Sequence, residues 1–283
     1  MSLVMALFGL AAVAAQQAGA GVGQDKPVTL AYQFPEGKTL SYRDASTETQ
    51  NMDVMGQSIA VKSLSSRDFS VKPKGMKEGN YLLGVTIDAF KQTSETPQGE
   101  LSADASTVTG KSFDMTLSRL GKEIDAAGAA AIQFDLGAGG RRNLGAAFQA
   151  FFPDLPDRPV KTGDIWPSED TVVDKSDMGT TSVIIKLVNT VDGFETIDGY
   201  DCVRIKTTGK GTMKGTLDQN GTSLAVDGSV EGTVTWYFAI KEGIYVKADQ
   251  KQSVAGTITA GAPANLVIPI AGENQEEIRL IKK

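Results

Sequence analysis

No histidine occurs in the 283 residues of this chain. Its absence removes the commonest general base near neutral pH and the commonest zinc ligand. Serine–histidine triads and cysteine–histidine dyads are excluded with it, so a nucleophilic cysteine would need another activator. Cysteine is almost as scarce. Cys202 stands alone, so no disulfide can form within the chain. A single thiol beside Val203 reads as a small buried hydrophobe. Basic charge is short as well, with 28 Lys and Arg against 34 Asp and Glu. Arg141-Arg142 is the only adjacent arginine pair. A nucleic-acid partner requires a clustered basic footprint, so none is expected.

Motifs that carry chemistry are missing too. There is no Gly-x-Ser-x-Gly elbow, and the stretch Gly137 to Arg142 lacks the Lys-Ser/Thr ending of a phosphate loop. No Asp-x-Asp-x-Asp-Gly calcium loop is present. Carboxylates could still act alone, as in glycosidases. Asp154, Asp157, Asp164 and the pair Glu169-Asp170 are the candidates, but their proline-rich setting favours Asp bonding nearby backbone amides. We expect no catalytic residue, no metal and no cofactor.

What the chain does have is alternation. Val203, Ile205, Thr207, Gly209, Gly211, Met213, Gly215 and Leu217 share one parity, while Arg204, Lys206, Lys210 and Lys214 share the other. A two-residue period of this kind belongs to a strand with one buried and one wet face. Leu224 to Ile240 repeats it, with Val226, Val230, Val234, Trp236, Phe238 and Ile240 opposite Asp227 and Glu231. Ile244 to Ala260 sets Ile244, Val246, Ala248, Val254 and Ile258 against Lys247, Asp249 and Lys251. Each run reaches roughly 50 Å at a 3.4 Å rise, far beyond the usual strand.

The joints predict hairpins. Asn220-Gly221 readily supplies positive φ, and Lys241-Glu242-Gly243 places Gly where a left-handed residue is wanted. Pairing Leu217 with Leu224 then sets Lys214 opposite Asp227 and Lys210 opposite Glu231. The glycines on the apolar face admit two readings. They accommodate curvature and close packing, or they hollow a groove for an apolar ligand.

Three weak internal correspondences suggest a duplication. Glu36–Leu40 parallels Thr162–Trp166, Val71–Ile87 parallels Val191–Ile205, and Gly110–Asp125 parallels Gly232–Lys247. Between the copies, Ala126 to Phe134 is alanine-rich. Asn143 can cap a second helix in which Leu144, Ala147, Phe148 and Phe151 form a stripe ending before Pro153. The N-terminal segment, uncharged to Gln24 and apolar from Leu3 to Ala15, reads as an export signal cleaved near Ala15 or Ala20. Export without disulfides points to a bacterial envelope, periplasm or exterior. No further membrane helix is expected in the mature chain.

Pro159, Val160, Lys161, Gly163, Asp164 and Trp166 form a Pro-Val-Lys-x-Gly-Asp-x-Trp segment. It resembles the signature of an uncharacterised family of exported bacterial β-rich proteins, which implies no known activity. A curved sheet covered by a helical segment is also similar in architecture to periplasmic lipoprotein-carrier half-barrels.

The resulting expectation is a mainly β protein: long-stranded, strongly curved antiparallel sheet from two repeated β units, with a short helical insert between them. Its parts are a signal peptide (1–20), a first β repeat (27–125), a helical insert with proline-rich linker (126–158) and a second β repeat (159–283). The expected role is non-enzymatic binding or carriage of an apolar, lipid-like molecule. Phe148, Phe151, Met213, Val230, Val234, Trp236 and Phe238 are the candidate ligand-binding residues. A structural or protein-interaction module of the envelope is the alternative, with an envelope protein as partner, and a carboxylate-dependent hydrolase the next.

Overall fold

The computed structural model describes residues 26–54, 56–137, 140–219, 221–261 and 265–281. The expected export segment lies outside the described residues. Strands dominate, as the alternation predicts, and they build a strongly curled antiparallel half-barrel.

The first half of the chain contributes β1 (Leu40–Val54), β2 (Gln57–Lys77), β3 (Asn80–Thr96), β4 (Gly99–Ser102), β5 (Ser112–Leu117) and β6 (Glu123–Asp125). A short hairpin follows, β7 (Gln133–Asp135) with β8 (Arg141–Asn143). The second half contributes β9 (Ile165–Ser176), β10 (Gly179–Ile197), β11 (Tyr200–Gln219), β12 (Thr222–Ala239), β13 (Ile244–Ala260) and β14 (Leu266–Ile281). All but β7 and β8 join one twelve-stranded sheet, ordered β6-β5-β3-β2-β1-β14-β13-β12-β11-β10-β9, with β4 beside β3. The two halves meet where β1 pairs with β14.

The register of the long hairpin is the one its turn and charges predict. Leu217 faces Leu224, Lys214 faces Asp227 and Lys210 faces Glu231. The ammonium of Lys210 donates to Glu231 Oε1 at 2.8 Å, and Lys214 lies 3.8 Å from Asp227. All four side chains are exposed, so these pairs mark the register more than they stabilise it. A slip by one residue would turn Val226, Val230 and Met213, all buried, toward water.

One face assignment changes. The alternation places Ile244, Val246 and Ala248 together, but β12 and β13 shift register between Tyr237 and Phe238. This bulge leaves Val246 without an opposite residue. Tyr245 and Ala248 then join the main core, while Ile244 and Val246 pack with Cys202 and Ala239 in a separate cluster.

The bridge between the halves is also corrected. Among the described residues it contains no α-helix, only 3-10 turns at Ala127–Ala131 and Ala146–Phe148 around the β7–β8 hairpin. Asn143 does cap locally, its Oδ1 accepting from the Gly145 amide at 2.8 Å. Propagation fails for physical reasons. Short helices carry an unrecovered nucleation cost, and burial here takes in the consecutive residues Phe151 and Phe152, which a single helical face does not present together. Their rings meet edge to face at 5.0 Å, and Pro153 follows.

The core fills the base of the half-barrel. Tyr42, Phe69, Phe148, Phe151, Phe152 and Tyr245 form a continuous ring cluster with centroids 4.9–6.3 Å apart. Residues Leu30, Tyr32 and Phe34 close it from below. The amide of Tyr32 donates to the Arg119 carbonyl beside β5, and that of Gln33 to the Gly243 carbonyl at the β12–β13 turn. One extended segment thereby ties the two halves together.

Candidate functional site

Cross-strand partners present their side chains to one face of a sheet, so the pairing registers can be read as transverse rows. Near the base, Tyr42 faces Phe69 across β1 and β2, as an apolar core requires. Toward the far end, Met52 faces Ile59 and Ile270, again apolar. Between these layers the same concave face turns polar. Ser65, Ser46, Glu276 and Gln250 form one row across β2, β1, β14 and β13. Ser63, Glu48, Asn274 and Gln252 form the next.

The rows change character as they continue onto β12, β11 and β10. Gln250 leads to Val234, and Gln252 leads to Gly232, Gly209 and Leu187. One wall of the half-barrel at this height is therefore polar, and the opposite wall is mixed, the row through Val234 running on to Thr207 and Asn189. Between them lies a cavity of about 320 Å³. The bridge covers it with Phe134, Arg142, Leu144, Ala147, Ala150 and Phe151.

The expected ligand-binding residues divide. Phe151, Val234 and Trp236 line this cavity. Phe148 does not; it packs edge-on against Phe69 and Phe113 in the basal core. Phe238 sits below against Tyr32, with centroids 5.1 Å apart. Met213 and Val230 belong to a distal apolar cluster with Val226 and Ile258. The glycines mostly serve close approach. A Cβ on Gly215 would stand 2.5 Å from the Thr180 carbonyl oxygen, and one on Gly228 would stand 2.8 Å from that of Ala255. At Gly209 the space is taken by Leu187 and Ile185 leaning across from β10.

The cavity holds more charge than an apolar pocket would. Arg67 is ion-paired to Asp44, both largely buried, with Glu276 beside them. Burial, and then the neighbouring Asp44, push the Glu276 carboxyl well above the usual carboxylate range. Burial pushes Glu48 up to about 8, against the opposing pull of Arg142. Asp170 is pushed up to about 6, by burial first and then by Asp154, whose own carboxyl burial raises. On the cover, Arg142 is 6% exposed and its Nη1 lies 4.0 Å from Asp174 Oδ2. Its Nε and Nη2 have no hydrogen-bond partner among the described residues.

Of the candidate acids, Asp154 and Asp170 reach the cavity. Asp164 instead builds a turn, its Oδ2 accepting from the Lys161 amide at 3.0 Å and facing Arg158. Asp157 and Glu169 are exposed. Trp166 donates its indole N–H to the Asp154 carbonyl at 3.2 Å, fixing the linker to β9. Among the described residues no cluster of three or more Cys, Asp or Glu is placed to hold a metal ion.

The alternation alone does not join the polar rows into a wall, although it carries a signal of them. Gln250 and Gln252 interrupt the apolar parity of β13 between Ala248 and Val254. In β1, Asp44, Ser46, Glu48 and Gln50 interrupt it between Tyr42 and Met52. Near opposite ends of the strand order, on β1 and β13, these interruptions come together only because β14 pairs with both.

No protein-family model matches the chain, and no curated protein matches it in sequence.

Proposed function

We propose that this is a non-enzymatic binding protein whose half-barrel cavity takes an amphipathic small molecule. The observation that carries this reading is the pair of polar rows set between apolar layers of the concave face, across the cavity from Val234, Trp236 and Leu187. A core built only for stability gains nothing from glutamates and glutamines at mid-height, since burying them without partners is costly. A ligand with an apolar body and a polar end uses both walls. At about 320 Å³ the space falls at the lower end of the roughly 300–1,000 Å³ of small-molecule pockets.

The apolar, lipid-like ligand expected from the glycine-rich strands is narrowed here to one that carries a polar group. Export to the bacterial envelope, and carriage rather than turnover there, remain part of the proposal. So does descent from a duplicated β unit. The β2–β3 and β10–β11 hairpins support it, because both turn on a positive-φ acid followed by glycine: Glu78-Gly79 (53°, 80°) and Asp198-Gly199 (52°, 83°).

Native mass spectrometry of protein purified without detergent tests the reading. We expect a retained small species, released on denaturation. Protein that is empty from every source, and that takes up no amphipathic compound on addition, would retire it.

A further inference from the structure

Arg142 is the most exacting group in the cavity. It projects from β8 beside its cross-strand neighbour Phe134, and both line the space. Its guanidinium has two functional edges. Nη1 faces Asp174 on β9, 4.0 Å away. The two nitrogens without a partner, Nε and Nη2, are the pair whose N–H bonds run parallel along one side of the guanidinium. That side matches the two oxygens of a carboxylate in a bidentate fork. An unused fork on a side chain 6% exposed leaves two buried donors unmet.

We infer that the Nε/Nη2 edge of Arg142 is the anchor for the carboxylate of an amphipathic monocarboxylate, a deepening that rests on the binding function proposed above. The surroundings fit a single negative charge. The charged groups facing Arg142 are Asp174 from β9 and Glu48 from β1. Arg141, next to it, lies 4.0 Å from Asp177, and both side chains are more than half exposed. Asp174 offsets part of the guanidinium charge without occupying the fork. Burial raises the Glu48 carboxyl to about 8, which weakens it as a second repelling charge. The apolar body then runs along Phe151, Val234, Trp236 and Leu187. Decanoate, one carboxylate on an apolar chain, is the probe.

Isothermal titration of the full chain with decanoate, methyl decanoate and decylammonium, all below their aggregation concentrations, tests this. We expect decanoate to bind at least tenfold more tightly than the ester, and decylammonium not to bind. In Arg142→Lys, which keeps the charge beside Asp174 but loses the fork, decanoate affinity should fall at least tenfold while the ester is unaffected. Circular dichroism and the urea midpoint of the variant establish that it is folded. Equal binding of acid and ester, or decanoate affinity unchanged in Arg142→Lys, overturns the carboxylate anchor and leaves the amphipathic pocket standing. Binding of none of the three probes overturns both.

Discussion

The side-chain amide of Gln149 pairs with both backbone groups of Val173. Its Nε2 donates to the Val173 carbonyl at 2.9 Å, and its Oε1 accepts from the Val173 amide at 2.7 Å. Val173 lies on β9, the last strand of the sheet, whose outer edge has no strand partner among the described residues. Exposed edges invite pairing with other chains, and proteins commonly cover them. Here one glutamine from the bridge imitates a strand residue, and Asn143 donates to the Lys175 carbonyl two residues on. The bridge is therefore fastened to the edge, which holds the cover in place over the cavity.

Gln149→Ala removes two hydrogen bonds and should cost about 1–2 kcal/mol. Urea denaturation followed by circular dichroism measures it. Sedimentation of the variant should also show association through the uncovered β9 edge. An unchanged midpoint and a monodisperse variant would contradict this role for Gln149.

Two glycines in long strands should behave oppositely. A Cβ at Gly215 would lie 2.5 Å from the Thr180 carbonyl oxygen and 2.7 Å from Thr181 Cγ2, so β10 must shift to admit it. Gly215→Ala should destabilise by about 1–3 kcal/mol. At Gly272 the nearest atom is the Thr49 carbonyl oxygen at an ordinary 3.4 Å. Gly272→Ala should be neutral or stabilise by up to about 1 kcal/mol, because alanine loses less backbone entropy. Thermal melts of the two variants decide it.

Stability should fall as pH rises. Burial lifts the carboxyls of Glu48 and Glu123 from an ordinary 4.5 to about 8, and that of Asp170 from 3.8 to about 6. Between those limits the folded protein binds more protons than the unfolded chain. The stabilisation is complete below about pH 4 and is lost as pH climbs through 6 and then 8. Each group contributes on the order of a few kcal/mol, the two glutamates more than Asp170. Glu123→Gln has no proton to lose there, and its Oε1 can still accept from the Phe152 amide as Glu123 does at 2.8 Å. The urea midpoint of the wild type should drop between pH 5 and 8, and that of Glu123→Gln should drop less. A wild-type midpoint that rises over this range would be the opposite result.

Cys202 should be inert in the folded protein. Its thiol is buried beside Ala239 and Ile244, and burial pushes it up to about 12. Thiolate is the reactive form, so a disulfide reagent at pH 8 should label Cys202 only on unfolding. Rapid labelling in native buffer would contradict this placement.

The long strands and their register were legible because a period of two and a turn dipeptide are local properties. Leu217 and Leu224 are close enough in sequence for their turn to fix the pairing, and Lys210 with Glu231 follows from it. Two features were not legible. The extra residue near Val246 leaves no mark in the alternation, since Tyr245, Val246 and Ala248 are all compatible with burial. The site was hidden for a different reason: Ser63, Glu48 and Gln252 become one wall only through pairings between opposite ends of the chain. The helical stripe around Phe148 misled because its spacing suits a 3-10 turn followed by two adjacent buried rings equally well. Phe151 reached the cavity by that route, and Phe148 did not.

Crystals grown with and without decanoate offer the most direct measurement. We expect difference density in the cavity between Trp236 and Gln252, its forked end within hydrogen-bond distance of Arg142 Nε and Nη2 and its tail along Val234. Density absent at full ligand concentration, or a ligand seated outside the half-barrel with the space beside Glu48 and Arg142 closed by side chains, would contradict a binding site here.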